Sequence, residues 1–193
     1  MKSLKSILMT LFVSVVLSSC SNFGNGGASV VGTWSMDMED MEEKIKEKNA
    51  DAKMLPGTFC EYVFNEDGTG MEKAVTISEI PYKKEGLKIK NTMKASNPFR
   101  WRKDGSRLVV EITDMDVDCN FEPISDNPKV RAEWQVGSKK WTDDINSERV
   151  KAVALAKVNS GGGYDFEILE LSENRLELKP ANGGDVKKFN KVK

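Results

Sequence analysis

Residues 59–77 read FCEYVFNEDGTGMEKAVTI, and this stretch decides the fold. Apolar and polar residues alternate before Asn65 and again after Gly70, with the period of a half-buried β-strand. The segment between them, residues 65–70, contains two glycines, which supply the positive φ angles that tight turns require. The stretch therefore predicts a β-hairpin.

The same alternation recurs along the rest of the chain. Further strands are predicted at 87–90, 99–102, 107–113, 164–168, 175–178 and 186–192. With the hairpin and an opening strand at 30–36 they give about eight or nine short strands, mostly antiparallel, which suits an up-and-down β-barrel. We therefore predict an all-β fold with accessory helices.

The opening strand, residues 30–36, reads VVGTWSM. Its Gly32-x-Trp34 pattern resembles the first-strand signature of lipocalins and of their bacterial lipocalin-like relatives. The resemblance implies a lipocalin-like antiparallel up-and-down barrel of about eight strands, which leaves room for one small ligand or for a packed core. It assigns Gly32 and Trp34 to the closed end of the barrel. Arg175 is then the candidate for the basic residue that packs on this tryptophan in the family.

Two helical segments are predicted outside the barrel. The first, at 37–48, has Met38, Met41 and Ile45 on one side, and these either line a ligand entrance or pack against the barrel wall. The second, at about 143–158, places an apolar stripe over the core. The stripe consists of Val150, Val153, Ala154 and Val158.

The N-terminus resembles the leader of bacterial lipoproteins. A basic start and an apolar run of about a dozen residues, too short to span a bilayer, precede Leu17-Ser18-Ser19-Cys20, which is similar to a lipobox. The resemblance implies a signal peptide at 1–19, lipid attachment at Cys20, and anchoring in the cell envelope. Because Ser21 is not an aspartate, we expect the outer membrane, with the barrel facing either the periplasm or the surface. The alternative is an ordinary cleaved signal peptide in which the cysteine is incidental.

Residues 20–29 are rich in glycine, asparagine and serine and predict a flexible tether, while 30–193 form the barrel domain. The chain has 29 basic and 30 acidic residues, and loss of Lys2 and Lys5 with the leader changes the net charge from −1 to −3. This balance argues against a nucleic-acid partner. The remaining Cys60 and Cys119 form an even pair in an oxidising compartment, and they are either bridged or two buried thiols.

Nothing in the sequence points to catalysis, a metal or a cofactor. The chain contains no histidine, which removes Ser-His, Cys-His and His-ligated metal chemistry. Asp114, Asp116 and Asp118 match the start of a calcium loop, but the glycine and glutamate that complete such a loop are missing. The apolar register also shifts near Thr113, so we expect a β-bulge that turns the aspartates to solvent, where a weak cation site is the remaining alternative.

Two functions compete at this stage. In the first, the barrel binds a small apolar or amphipathic ligand; the lining candidates are Tyr62, Phe64, Leu87, Ile89, Phe99, Trp101, Tyr164, Phe166 and Ile168. In the second, the barrel is filled and the lipoprotein is a non-catalytic scaffold that meets a protein or envelope partner through its surface. The stretch 120–141 favours this second reading, because Trp134 and Trp141 lie in a segment without clear periodicity.

Overall fold

The computed structural model describes residues 28–39, 42–43, 46, 51–82, 86–160 and 164–192. The predicted signal peptide, Cys20, most of the predicted tether, Met41 and Ile45 lie outside these ranges. Within them, residues 39, 42, 43 and 46 are helical, and Met38 packs against the barrel core.

The described residues form ten strands and two long helices. The strands are β1 (Gly32–Met36), β2 (Lys53–Met54), β3 (Phe59–Phe64), β4 (Thr69–Pro81), β5 (Lys88–Asp104), β6 (Arg107–Ile112), β7 (Asp116–Ile124), β8 (Tyr164–Leu171), β9 (Arg175–Pro180) and β10 (Lys187–Lys191). The helices are α1 (Pro128–Ile145) and α2 (Glu148–Ser160).

Eight of the strands close into an antiparallel barrel. Going round the barrel, the order is β1, β3, β4, β5, β6, β8, β9 and β10, and β10 pairs back with β1. Apart from β2 and β7, strands that follow one another in the chain are neighbours in the sheet, which is up-and-down topology. The predicted all-β, lipocalin-like barrel with accessory helices is confirmed, including the hairpin at 59–77 and the closing strand.

β4 and β5 are longer than the barrel needs and continue beyond it. The sequence predicted separate strands at 87–90 and 99–102, but they are the two ends of the 17-residue β5. The first half of β5 pairs with β7 on one side and β4 on the other, and β2 pairs with the far end of β4. The result is a four-stranded extension of the barrel sheet.

The predicted shift of register near Thr113 is confirmed. Ile112 opposes Phe99 and Asp116 opposes Ser96, so three residues on one side face two on the other, as in a β-bulge. The chain leaves the barrel here and joins the extension as β7. Pro98 lies at this break, where its missing N–H leaves no gap in a regular ladder.

The helices differ from the prediction. The segment 120–141, in which the sequence shows no clear periodicity, contains the end of β7 and most of α1. The helix begins after Asn127, whose side chain accepts hydrogen bonds from the backbone N–H groups of Lys129 and Val130. The predicted helix at 143–158 is in fact two helices separated at Asn146. The reason is that the Asn146 side chain accepts from Cys119 N and donates to Cys119 O, both at 2.7 Å, which ties the chain to β7.

Two apolar clusters result. The barrel core contains the interior strand residues, and Ala154, Leu155 and Val158 of α2 pack on it, while Val153 of the predicted stripe is 46% exposed instead. The second cluster lies between α1 and the extension sheet. None of the helices in the described ranges combines the length and the apolarity needed to cross a bilayer.

Candidate functional site in the barrel interior

Trp34 lies on β1 in the barrel core. It is fully buried, and its indole N–H donates to the carbonyl oxygen of Val30 at 2.7 Å. The Lys191 ammonium lies 5.0 Å from the ring centroid, within the range of a cation–π contact. The expectation that Arg175 packs on this tryptophan is therefore wrong: register places Lys191 opposite Trp34, and the Arg175 guanidinium pairs with Glu177 at 2.7 Å.

Gly32 makes room for this arrangement. Its φ is +129°, and a Cβ added there would lie 2.9 Å from the Lys191 side chain. Glycine therefore permits both the backbone conformation and the close approach of the lysine that covers Trp34.

An aromatic wall surrounds the next layer of the barrel. The Tyr62 ring lies 5.4 Å from Phe189 in an edge-to-face contact, and Phe64 lies 5.3 Å from Phe99. Trp101 is only partly buried; its indole N–H donates to the backbone oxygens of the turn after β3, and its ring packs edge-on against Phe64. The turn and Trp101 thus cover this side of the interior.

Seven of the nine predicted lining residues lie in this barrel core. They are Tyr62, Phe64, Phe99, Trp101, Tyr164, Phe166 and Ile168. Leu87 and Ile89 do not line the barrel, because β5 begins outside it. They are buried in the second cluster with Cys119 and Phe121, and Trp134 and Trp141 of α1 pack against them.

A row of polar side chains crosses the apolar wall. Tyr62 of β3 opposes Glu72 of β4, and Glu72 opposes Asn97 of β5. The Tyr62 hydroxyl donates to Glu72 Oε1 at 2.9 Å, and Asn97 Nδ2 donates to Glu72 Oε2 at 2.8 Å. Glu72 is 2% exposed and Asn97 is fully buried. The barrel therefore holds a carboxylate in its wall through two neutral donors.

Four buried side-chain polar atoms have no hydrogen-bond partner within the described residues. Two of them, the Tyr164 hydroxyl and Asn97 Oδ1, belong to the barrel, and the other two are Asn91 Oδ1 and Trp134 Nε1. Burial, and after it the field of Glu72, raises the pKa of Tyr164. The same two causes raise the pKa of Tyr62. Both phenols therefore remain protonated at neutral pH, and each can donate one hydrogen bond.

The two cysteines lie apart as free, buried thiols. Cys60 belongs to the barrel core and Cys119 to the second cluster, so the structure contains no bridge between them. Burial first, then Glu72, raises the pKa of Cys60, while Lys187 lowers it. Burial raises the pKa of Cys119 to about 12. Neither thiol has the depressed pKa of a nucleophile.

The three aspartates of β7 and the segment before it point outward. Asp114, Asp116 and Asp118 are all exposed; the Lys151 ammonium lies 3.6 Å from Asp116, and the Asn146 amide donates to Asp118. Within the described part of the chain, three or more metal-ligating side chains do not come together anywhere.

Glu72 and Asn97 are the site residues that sequence reasoning missed. The signal for Glu72 was present, because a hairpin that turns at 65–69 and pairs Phe64 with Gly70 also places Glu72 opposite the inward Tyr62. No family model matches the chain, and no curated protein matches it significantly.

Proposed function

We propose that the protein is an envelope lipoprotein, anchored through Cys20, whose barrel binds a small apolar or amphipathic ligand. The observation that carries this proposal is that two of the four buried polar atoms without a partner in the described residues, Tyr164 Oη and Asn97 Oδ1, lie in the barrel. A buried polar atom left unsatisfied costs about 1–3 kcal/mol, and native proteins keep few of them. A bound molecule with one polar end and an apolar body would give these atoms hydrogen-bond partners and would pack its body against the aromatic wall.

The proposed anchor rests on the leader sequence and on the start of the fold. Val30 is buried, and its carbonyl accepts the Trp34 N–H, so the ordered barrel begins a short distance in sequence after Cys20. The glycine-rich tether would then hold the barrel near the membrane. The protein acts without catalysis in this proposal.

The alternative is a scaffold that binds a partner through Trp134 and Trp141, but these two side chains are used inside the protein. Both rings are partly buried: the ring centroid of Trp134 lies 4.6 Å from that of Tyr82, and Trp141 packs edge-on against Phe121. They hold α1 on the extension sheet and do not form an exposed apolar patch.

The proposal is tested on the full chain, produced in the organism that encodes it and extracted from the envelope. We expect intact-mass spectrometry to show a protein that begins at Cys20 and carries acyl chains, and native mass spectrometry to show a small molecule that is released on unfolding. The Cys20→Ser chain is the control for anchoring. An unmodified N-terminus would refute the anchor. A protein that releases no small molecule and also binds none of added hexylamine, hexanol and hexanoate would refute ligand binding.

A further inference from the structure

Hydrogen-bond acceptors dominate the polar row inside the barrel. Each Glu72 oxygen receives one described hydrogen bond, although a carboxylate offers about four acceptor positions in all. Asn97 Oδ1 receives none from the described residues. The donors left over are the Tyr164 hydroxyl and the second N–H of the Asn97 amide. Acceptor positions therefore outnumber donors, which favours a ligand that brings N–H or O–H groups.

The charge of the row points in the same direction. Both described partners of Glu72 are neutral, a phenol and an amide, so its hydrogen bonds do not supply a counter-charge. Moving a carboxylate out of water costs several kcal/mol unless an opposite charge compensates it. A ligand ammonium would provide that charge together with up to three donors.

Lys187 supplies the competing possibility. It is partly buried, its ammonium lies 5.5 Å from the Phe166 ring centroid, and its field reaches the interior, where it lowers the pKa of Cys60. A carboxylate ligand would be attracted to Lys187, whereas an amine would be attracted to Glu72. The difference in hydrogen bonding decides between them, because Glu72 and Asn97 Oδ1 offer acceptors that a carboxylate cannot use.

We propose that the ligand is a small amine with an apolar body, whose ammonium donates to Glu72, to Asn97 Oδ1 and to the oxygen of the Tyr164 hydroxyl. This inference rests on the proposed function, because it names the chemical class of the ligand that the barrel would bind. The aromatic wall formed by Phe64, Phe99 and Phe189 suits the apolar body.

The test compares three probes that share one body and differ in one end group: hexylamine, hexanol and hexanoate. Binding to the full-length protein is measured by calorimetry at pH 7. We expect hexylamine to bind at least about tenfold more tightly than the other two, since hydrogen bonds to a charged group are worth more than neutral ones. Glu72→Gln should remove this preference. Glu111→Gln, at an exposed site on β6, is the control and should leave both the preference for hexylamine and the binding of hexanol unchanged.

Tyr164→Phe provides a second variant in case Glu72→Gln does not fold, because it removes a hydroxyl that no described residue holds. We expect it to weaken hexylamine binding severalfold. Equal binding of the three probes, or a preference for hexanoate, would overturn the amine assignment and leave ligand binding standing. Failure of all three probes to bind would overturn the amine assignment, and a protein that also releases no small molecule on unfolding would overturn ligand binding as well.

Discussion

Tyr62 and Tyr164 are two buried phenols in one barrel with opposite hydrogen-bond status. The hydroxyl of Tyr62 holds Glu72 in place, whereas that of Tyr164 meets no described partner. Removing a donor from a buried carboxylate leaves that carboxylate under-solvated, while removing an unpaired hydroxyl leaves nothing behind. The two residues therefore allow a direct test of which polar contacts stabilise the barrel.

We predict that Tyr62→Phe lowers the free energy of unfolding by about 1.5–3 kcal/mol, the usual value of a hydrogen bond to a charged group. Tyr164→Phe should instead raise it, by up to about 1–3 kcal/mol, because it removes a buried hydroxyl that has no described partner. Urea unfolding at pH 7, without added ligand, measures both. Equal losses in the two variants would show that Tyr164 has a partner and would remove the main support for the ligand site.

At the scale of elements, the β3–β4 hairpin depends on one glycine in its second strand. A Cβ at Gly70 would overlap the Phe99 ring and lie 2.5 Å from the carbonyl oxygen of Val63. The absence of a side chain lets Phe99 cross the backbone of β4 and reach Phe64. The aromatic wall beside the candidate site is built on this close approach.

We predict that Gly70→Ala destabilises the protein by about 1–3 kcal/mol, as overpacking in a core does. The matched control is Gly137→Ala in α1, where an added Cβ meets nothing within 4 Å; it should stabilise the protein by about 0.5–1 kcal/mol through helix propensity. Thermal unfolding of both variants gives the comparison. A tolerated Gly70→Ala would mean that the Phe99 ring has another place to go.

Local sequence predicted the strands well because their pattern is a property of each segment. The turn at 65–69 fixes the register of β3 on β4, and from it Glu72 opposite Tyr62 could have been derived. Asn97 could not be placed in this way. Its register against Glu72 follows from the long pairing of β4 with β5, which a connection outside the hairpin controls, and local alternation does not report it.

The helical prediction was wrong over the segment that forms α1. Val130, Trp134, Trp141 and Ile145 are spaced by four, seven and four residues, a helical stripe that packs on the second cluster. Asn127 followed by Pro128 is a typical helix start. Both signals were in the sequence, but charged residues between the aromatics hid the stripe. The end of the helix depends on the tertiary contact between Asn146 and Cys119, which no local pattern contains.

At the scale of the whole molecule, the two apolar clusters each hold a cysteine, and each cluster keeps its thiol away from water. The barrel core also contains both buried phenols. All four groups are neutral in the folded protein at neutral pH, and their pKa values return to the ordinary ones only when the chain unfolds. Ionisation of these groups therefore does not destabilise the fold at low or neutral pH, but it does at high pH.

We predict that stability is lost as the pH rises above 9. Cys60, Cys119, Tyr62 and Tyr164 all have a raised pKa in the folded state, above the ordinary 9.0 of a thiol and 10.0 of a phenol. Above these ordinary values the unfolded chain releases protons that the folded chain retains, so each group costs up to about 1.4 kcal/mol of folding stability per pH unit. For Cys119 this loss continues to about pH 12.

Urea midpoints at pH 7, 9, 10 and 11 measure this slope, and Cys119→Ala should make it shallower between pH 9 and 11 although it lowers the starting stability.

As a control, thiol titration of the unfolded, unreduced protein should find both Cys60 and Cys119 free, and native protein at pH 8 should react slowly because both thiols are buried and protonated. A flat profile up to pH 11 would contradict the burial of these groups. A chain without free thiols after unfolding would show a bridge that the separate clusters do not permit.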